Sequence, residues 1–349
     1  MSSATLTAGS GMGNSSTPRA ERLLWVQLTG GPSQLETFDP KPDAPSEIRG
    51  PFGSIPTTIP GVRINEFLPQ IAQRLHRCTL IRSVHHELTP IHEIGLQLLQ
   101  TGSVSTLGQP RPHLGAQLVA HRQTQSAVAS NALSQTSVPE MAILGGSLQS
   151  LGVSIDHGQT AANLADRVSV QMVNHPAATE EQRLAEHTAH AVALLESGTR
   201  SVVVNMFQSV YDCLSWDCHA DGASLPTTLA DYRSRLLPML DQTVSHLLDS
   251  LAMRGLLDST LVVVTGEMGR TPTLNPWGGR DHWAGCWSML VAGGGMPQGH
   301  VVGRSDAHAA APTDEPMHAR DVFGMLAAQL GLPPATPDDD MATPFPIVR

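Results

Sequence analysis

Asp217 and His219, one residue apart in SWDCHADG, and Glu267, Arg270, Arg280, Asp281 and His282, gathered in GEMGRTPTLNPWGGRDH, are the residues whose types and spacing suit chemistry. Carboxylates and imidazoles drawn together from separate segments are what a one- or two-metal hydrolytic site requires. An Asp-x-His pair in a loop can place both side chains on one ion, and His282 would add a third ligand from another segment. Mixed imidazole and carboxylate donors suit zinc or manganese better than calcium or magnesium. Glu267 would stand close by, as a further ligand or as the group that orients a water or takes its proton. Arg270, just after Gly269, presents a guanidinium fork that matches a tetrahedral oxyanion, with Arg280 as its helper. Plainer readings exist for each residue alone. Asp217 and His219 could be an Asx-stabilised turn, and either arginine an ion-pair partner of Glu267 or Asp281. The metal reading rests on the set.

Short apolar runs must carry these residues. Leu261–Val264 leads directly to Glu267, and Trp287–Ala292 follows His282. Both runs are bounded by turn residues and read as buried parallel strands. Ser201–Met206 precedes Asp217, Leu23–Leu28 runs into Thr29-Gly30-Gly31, and Thr79–Val84 runs into His85-His86 and on to His92. Met141–Leu144 reads as one more short strand. Helical periodicity covers Ile64–His76, the stretch after His92 to about Gln100, residues 110–125, Thr179–Glu196, Thr228–Arg254 and Asp321–Leu330, with Gly102, Gly198 and Gly255 as expected stops. Residues 39–63, dense in Pro and Gly, read as an ordered excursion, and residues 126–160 as irregular. This βαβα alternation predicts a single three-layer α/β/α sandwich with a mostly parallel sheet over residues 22–335. In such sheets chemistry collects beyond the carboxyl ends of the strands. Four exits, Gly30–Asp39, His85–His92, Asp217–Asp221 and Glu267–His282, are therefore expected to meet on one edge. His85 and His86 are equally readable as ligands or as a solvated loop.

Composition removes several alternatives. The chain has 349 residues, 40% of them hydrophobic, enough for a substantial core. No apolar run approaches the length of a membrane span, so no membrane partner is expected. A formal charge of −10 argues against a nucleic-acid surface. Sixteen histidines offer many potential ligands for a divalent metal. The four cysteines, Cys78, Cys213, Cys218 and Cys286, are too few and too scattered for a disulfide framework. A zinc clip from Cys213, Cys218, His282 and Cys286 is imaginable, but free buried thiols are the ordinary outcome. Residues 1–21 read as a disordered leader with neither an apolar core nor a twin arginine, which makes a cytoplasmic location the default expectation. Residues 336–349 read as a proline-rich tail.

The segments LLWVQLTGGPSQLETFDPKP, LIRSVHHELTPIHEIGLQLLQTG, SWDCHADG and VVVTGEMGRTPTLNPWGGRDHWAGCWSMLVAGGG resemble the DUF1501 family. That bacterial family of uncharacterised proteins is placed near the alkaline phosphatase/sulfatase superfamily. The resemblance runs from about residue 22 to 330 and implies an alkaline-phosphatase-like fold. It also implies a position-by-position comparison. The metal-binding Asp that directly follows the first strand in the superfamily is replaced here by Thr29-Gly30-Gly31, with only Glu36 or Asp39 to substitute. His92 falls near the place of the superfamily nucleophile, with Thr89 the nearest hydroxyl. Asp217 and His219 match the mid-chain metal ligands, Glu267 takes the first place of a late Asp-His pair, and His282 matches the final metal-binding His.

Two functions follow as expectations. One is a metal-dependent hydrolase of phosphate or sulfate esters, acting on a small anionic substrate with a metal-bound water as nucleophile. In it His92, Glu267 and Arg270 are catalytic, and Asp217, His219, His282 and Glu267 surround the ion. The other is a degenerate, non-catalytic member that keeps the fold for binding or assembly.

Overall fold

The computed structural model describes residues 20–104, 112–129, 138–146, 168, 170–177 and 179–334. The expected leader, all but Ala20 and Glu21, and the tail at 336–349 lie outside the described residues, as does most of the irregular stretch at 126–160.

A nine-stranded sheet forms the middle layer. Its strands are β1 (Arg22–Gln27), β2 (Cys78–His85), β3 (Met141–Leu144), β4 (Val170–Val173), β5 (Ser201–Asn205), β6 (Thr260–Thr265), β7 (Trp287–Ala292), β8 (His300–Val302) and β9 (Met317–His318). The order is β8-β2-β7-β6-β1-β5-β3-β4, with β9 also pairing with β2. The five expected long strands thus share one sheet. Because side chains alternate along a strand, β1 is apolar on both faces: Leu24 and Val26 pack on one side, Leu23 and Trp25 on the other.

Six helices cover the two faces. Three of them, α1 (Pro69–Arg74), α4 (Glu180–Glu196) and α5 (Leu237–Met253), pack on the Leu24 side. The other three, α2 (His92–Thr101), α3 (Leu114–Ala129) and α6 (Ala319–Gln329), pack on the Trp25 side. Local chemistry sets their ends. Thr179 caps α4 by accepting from the Gln182 backbone, and Thr228 forms a reciprocal capping box with Asp231. Gly102 takes a left-handed φ of 80° and ends α2, as the sequence predicts.

Two expectations need correction. Trp287–Ala292 is buried but antiparallel to both neighbours, β2 and β6. No helix crosses between β6 and β7. The chain stays at the exit edge from Glu267 to His282, so the next strand must run back. The expected helix over Ile64–His76 is also shorter. Ile64 lies in a hairpin of Ser54–Pro56 with Arg63–Asn65 and pairs with Ile55. The helix begins only at Pro69, which disfavours helical geometry at Leu68, and it passes into a 3₁₀ turn at Leu75–Arg77. Ile64, Leu68, Ile71 and Leu75 are nonetheless all buried, so the apolar spacing marked a real face.

Candidate metal centre

Asp217 is the hub of the site. Its carboxylate is fully buried, with three imidazoles and one guanidinium around it. His92 Nε2 lies 3.0 Å and His282 Nε2 3.4 Å from Oδ2, while His219 Nε2 lies 3.0 Å and Arg270 Nη1 2.5 Å from Oδ1. One ligand atom from each of His92, Asp217 and His282 falls within 4.8 Å of the other two.

Neighbouring elements hold each member. The Asp217 loop is tied to the end of β1, because Trp216 N donates to Thr29 O. Tyr232, the first residue of a π turn before α5, donates its hydroxyl to Trp216 O at 2.7 Å. π turns recur at functional sites because they rotate a side chain out of the helical register. His92 opens α2. One turn later Gly95 packs so closely on the chain at Glu267 that a Cβ there would collide with the Glu267 carbonyl oxygen. His282 sits in a two-residue ladder in which it pairs with Arg270.

The hydrogen bonds behind the imidazoles decide what the cluster can do. His92 Nδ1 meets Glu267 Oε1 at 2.7 Å, His219 Nδ1 meets Asp281 Oδ1 at 3.0 Å, and His282 Nδ1 meets the Pro90 carbonyl at 2.9 Å. Carboxylates and carbonyls only accept, so each Nδ1 carries a proton. A ring in this tautomer, when neutral, turns an Nε2 lone pair toward the Asp217 carboxylate, itself an acceptor. Acceptors facing acceptors repel unless a proton or a cation lies between them. His219 Nε2 is buried and faces Asp217 Oδ1, an oxygen that the Arg270 guanidinium already holds. Imidazoles fixed through Nδ1 by an outer acceptor are the usual arrangement around a metal. On this donor set the cluster fits a divalent ion.

The electrostatics agree with a strongly polarised site. Burial alone would raise the Asp217 carboxyl, but Arg270 and the three imidazoles outweigh it and hold it far below the usual range. Burial would likewise depress His92, yet its bonds to Asp217 and Glu267 raise it to about 9. His282 is lowered, chiefly by burial. The His219 and His282 side chains are the more open to solvent, 17% and 22% exposed against 9% for His92.

The remaining candidates are placed as follows. Glu267 is buried behind His92, with Oε1 taking Gly30 N and His92 Nδ1 and Oε2 taking Gln27 Nε2. Arg270 is fully buried. Besides Asp217 it donates Nε to Gly31 O at 2.8 Å and Nη2 to Gly30 O. Arg280 is equally buried, forked on Glu36 at 2.7 and 2.6 Å. Asp39 holds Lys41 and Ser305. Glu36 and Asp39 therefore lie in other networks than the Asp217 cluster. His86 Nδ1 accepts from Leu88 N, and His85 lies against Glu87, both also apart from it. No cysteine belongs to the cluster among the described residues. Spacing alone did not reveal His92 as a potential ligand or Asp281 and Gln27 as outer partners. The signals were a histidine directly after a proline-marked helix start and a lone glutamine closing an apolar strand.

Solved structures share the fold. The lipoteichoic acid synthase LtaP from Listeria monocytogenes aligns with a TM-score of 0.51 at 10% identity, over 90% of this chain and 73% of that one. The PsFucS1 sulfatase from Pseudoalteromonas sp. gives 0.50 at 12%, over 90% and 68%. The phosphonate monoester hydrolase of Agrobacterium radiobacter gives 0.50 at 13%, over 90% and 74%. The fold is thus the alkaline-phosphatase-like one, shared with a sulfatase and a phosphonate monoester hydrolase. No curated protein matches the chain. The family model described as a protein of unknown function (DUF1501) matches residues 20–152 and 158–337, and the chain belongs to that family.

Proposed function

We propose that this protein is a metal-dependent hydrolase of small phosphate or sulfate esters, with one zinc or manganese ion held by His92, Asp217 and His282. The observation that carries this reading is the convergence of three Nδ1-locked imidazoles on one buried carboxylate. Such an ion, when bound, supplies an activated water near neutral pH and polarises the ester oxygen. The chain's residues do the rest. Asp217 brings a negative charge to the centre, and Glu267 keeps His92 in one tautomer and orientation. Both Glu267 oxygens are taken by protein donors, so its part is to position His92 and not to accept a proton from water. His219, partly exposed and backed by Asp281 at Nδ1, can take a proton at Nε2 and as the imidazolium hand it to a leaving group. Arg270 keeps the Asp217 carboxylate charged in a buried setting. Zinc or manganese fits the mixed nitrogen and oxygen donors.

Two outcomes test this. His219→Ala should retain the metal and slow hydrolysis of an aryl phosphate or sulfate by about 10²- to 10⁴-fold, the range of a lost acid–base group. Metal loss on that substitution would make His219 a ligand instead. The second outcome concerns pH. His92 is raised, so its proton stabilises the metal-free fold fully below the unfolded value near 6.5, and that stability fades as pH climbs through about 9. An ion must displace this proton. Zinc affinity, read by chelator competition, should therefore rise about tenfold per pH unit toward 9 and then level off. A flat profile would remove His92 from the ligand set.

A second reading is a non-catalytic member serving in binding or assembly. The 2.5 Å Arg270–Asp217 ion pair favours it, because the guanidinium already neutralises the central carboxylate. Wild-type protein that stays metal-free after loading with zinc or manganese would establish that alternative.

A further inference from the structure

Behind Glu267 the polar chain continues into the core of the sheet. Gln27, the last residue of β1, is 1% exposed and donates Nε2 to Glu267 Oε2 at 2.9 Å. Its amide oxygen accepts from two buried donors, Trp25 Nε1 at 3.0 Å and Gln100 Nε2 at 3.1 Å. These two donors fix which way the amide faces. The flipped amide would set its NH₂ against two N–H donors and its oxygen against a carboxylate, losing three hydrogen bonds at once. With the amide held, Glu267 Oε2 is anchored, and Oε1 is left to meet His92 Nδ1.

We infer that Gln27, fixed by Trp25 and Gln100, is a positioning residue that acts through Glu267 to set the orientation of His92 toward Asp217. This rests on the metal reading above. The physical reason is geometric: a carboxylate held at one oxygen only by a backbone N–H can swing, whereas one held at both oxygens cannot. The other two imidazoles have shorter supports, a backbone carbonyl for His282 and a half-exposed aspartate for His219. His92 alone is anchored through a relay of side chains to the central strand of the fold.

The experiment is zinc affinity by chelator competition, with the absorption spectrum of the cobalt(II)-loaded protein as a second readout of ligand geometry. Gln27→Leu should weaken zinc binding about 10- to 100-fold, the usual effect of losing an outer partner, and alter the cobalt spectrum. Trp25→Phe keeps the ring and removes one donor to the amide. It should shift both readouts the same way by less, and it guards against a Gln27 variant that fails to fold. In a Glu267→Gln background, Gln27→Leu should change affinity little, because the route to His92 is already cut. Unchanged affinity in Gln27→Leu, or an equal loss with and without Glu267, overturns the inference while leaving the metal reading in place. Wild-type protein that binds neither ion overturns both.

Discussion

A His282→Ala protein should purify folded and carry no stoichiometric zinc. The side chain is 22% exposed, lies in a two-residue ladder, and among the described residues hydrogen-bonds Pro90 O and Asp217. Little core is lost with it, but one of the three proposed ligands is. His92→Ala should lose the metal as well and in addition melt at a lower temperature. It leaves the buried Glu267 carboxylate with its Gly30 N and Gln27 bonds but without its imidazole partner, and a lost hydrogen bond to a charged group costs about 1.5–3 kcal/mol. The contrast between the two variants separates ligand loss from structural loss. Metal content by elemental analysis after loading and desalting, beside a thermal melt, reads both. A His282→Ala protein that keeps one zinc per chain would sink the proposed ligand set.

Arg270→Met should destabilise the metal-free protein more than substitution of either histidine ligand, His92 or His282. Asp217 would remain buried, and the guanidinium that faces it at 2.5 Å would be gone. Breaking a buried pair from one side costs about 3–5 kcal/mol, because the partner charge is left uncompensated. The methionine also leaves the Gly30 and Gly31 carbonyls without their donor. Zinc should then restore more stability to this variant than it adds to wild type, since the ion supplies the positive charge the arginine gave. Arg270→Lys should fall between, keeping charge but not the fork. Thermal melts with and without zinc give the comparison. If zinc raised the melting temperature of wild type and Arg270→Met equally, the ion would not sit against Asp217.

The sequence made the sheet legible because its central strands are buried on both faces and so appear as unbroken apolar runs. Leu23–Leu28 and Leu261–Val264 could hardly be anything else. It did not reveal the direction of Trp287–Ala292, because burial on both faces looks the same for either direction. Direction is set by which edge the preceding loop occupies, and periodicity says nothing of that. The hairpin at Ile64 was missed because one apolar stripe continues through a change of backbone geometry at Pro69. At the site, Asp217, His219 and His282 stood out as unusual residues at strand exits, and the structure gathers them with His92. For Arg270 and Arg280 the residue type suggested an anion clamp, yet both lie fully buried. What a guanidinium faces depends on contacts such as Gly30 O and Glu36, hundreds of positions away in sequence. Gln27 shows the same limit: one polar residue in a strand is visible, but its partner at Glu267 is not.

Gly95 gives a way to sort related chains without an assay. The first turn of α2 rests directly on the peptide that carries Glu267, and only a residue with no side chain lets the two backbones touch. A chain of this fold with alanine or anything larger there must lift the start of α2, and His92 with it, off the carboxylates that hold it. The hydrophobic half of the helix, around Leu98 and Leu99, would stay seated in the core. Such a copy would keep its core yet lose the close placement of His92 against Glu267 and Asp217. The identity of that one residue thus tells whether a chain of this architecture can bring its helix start as close to the Glu267 peptide as this one does.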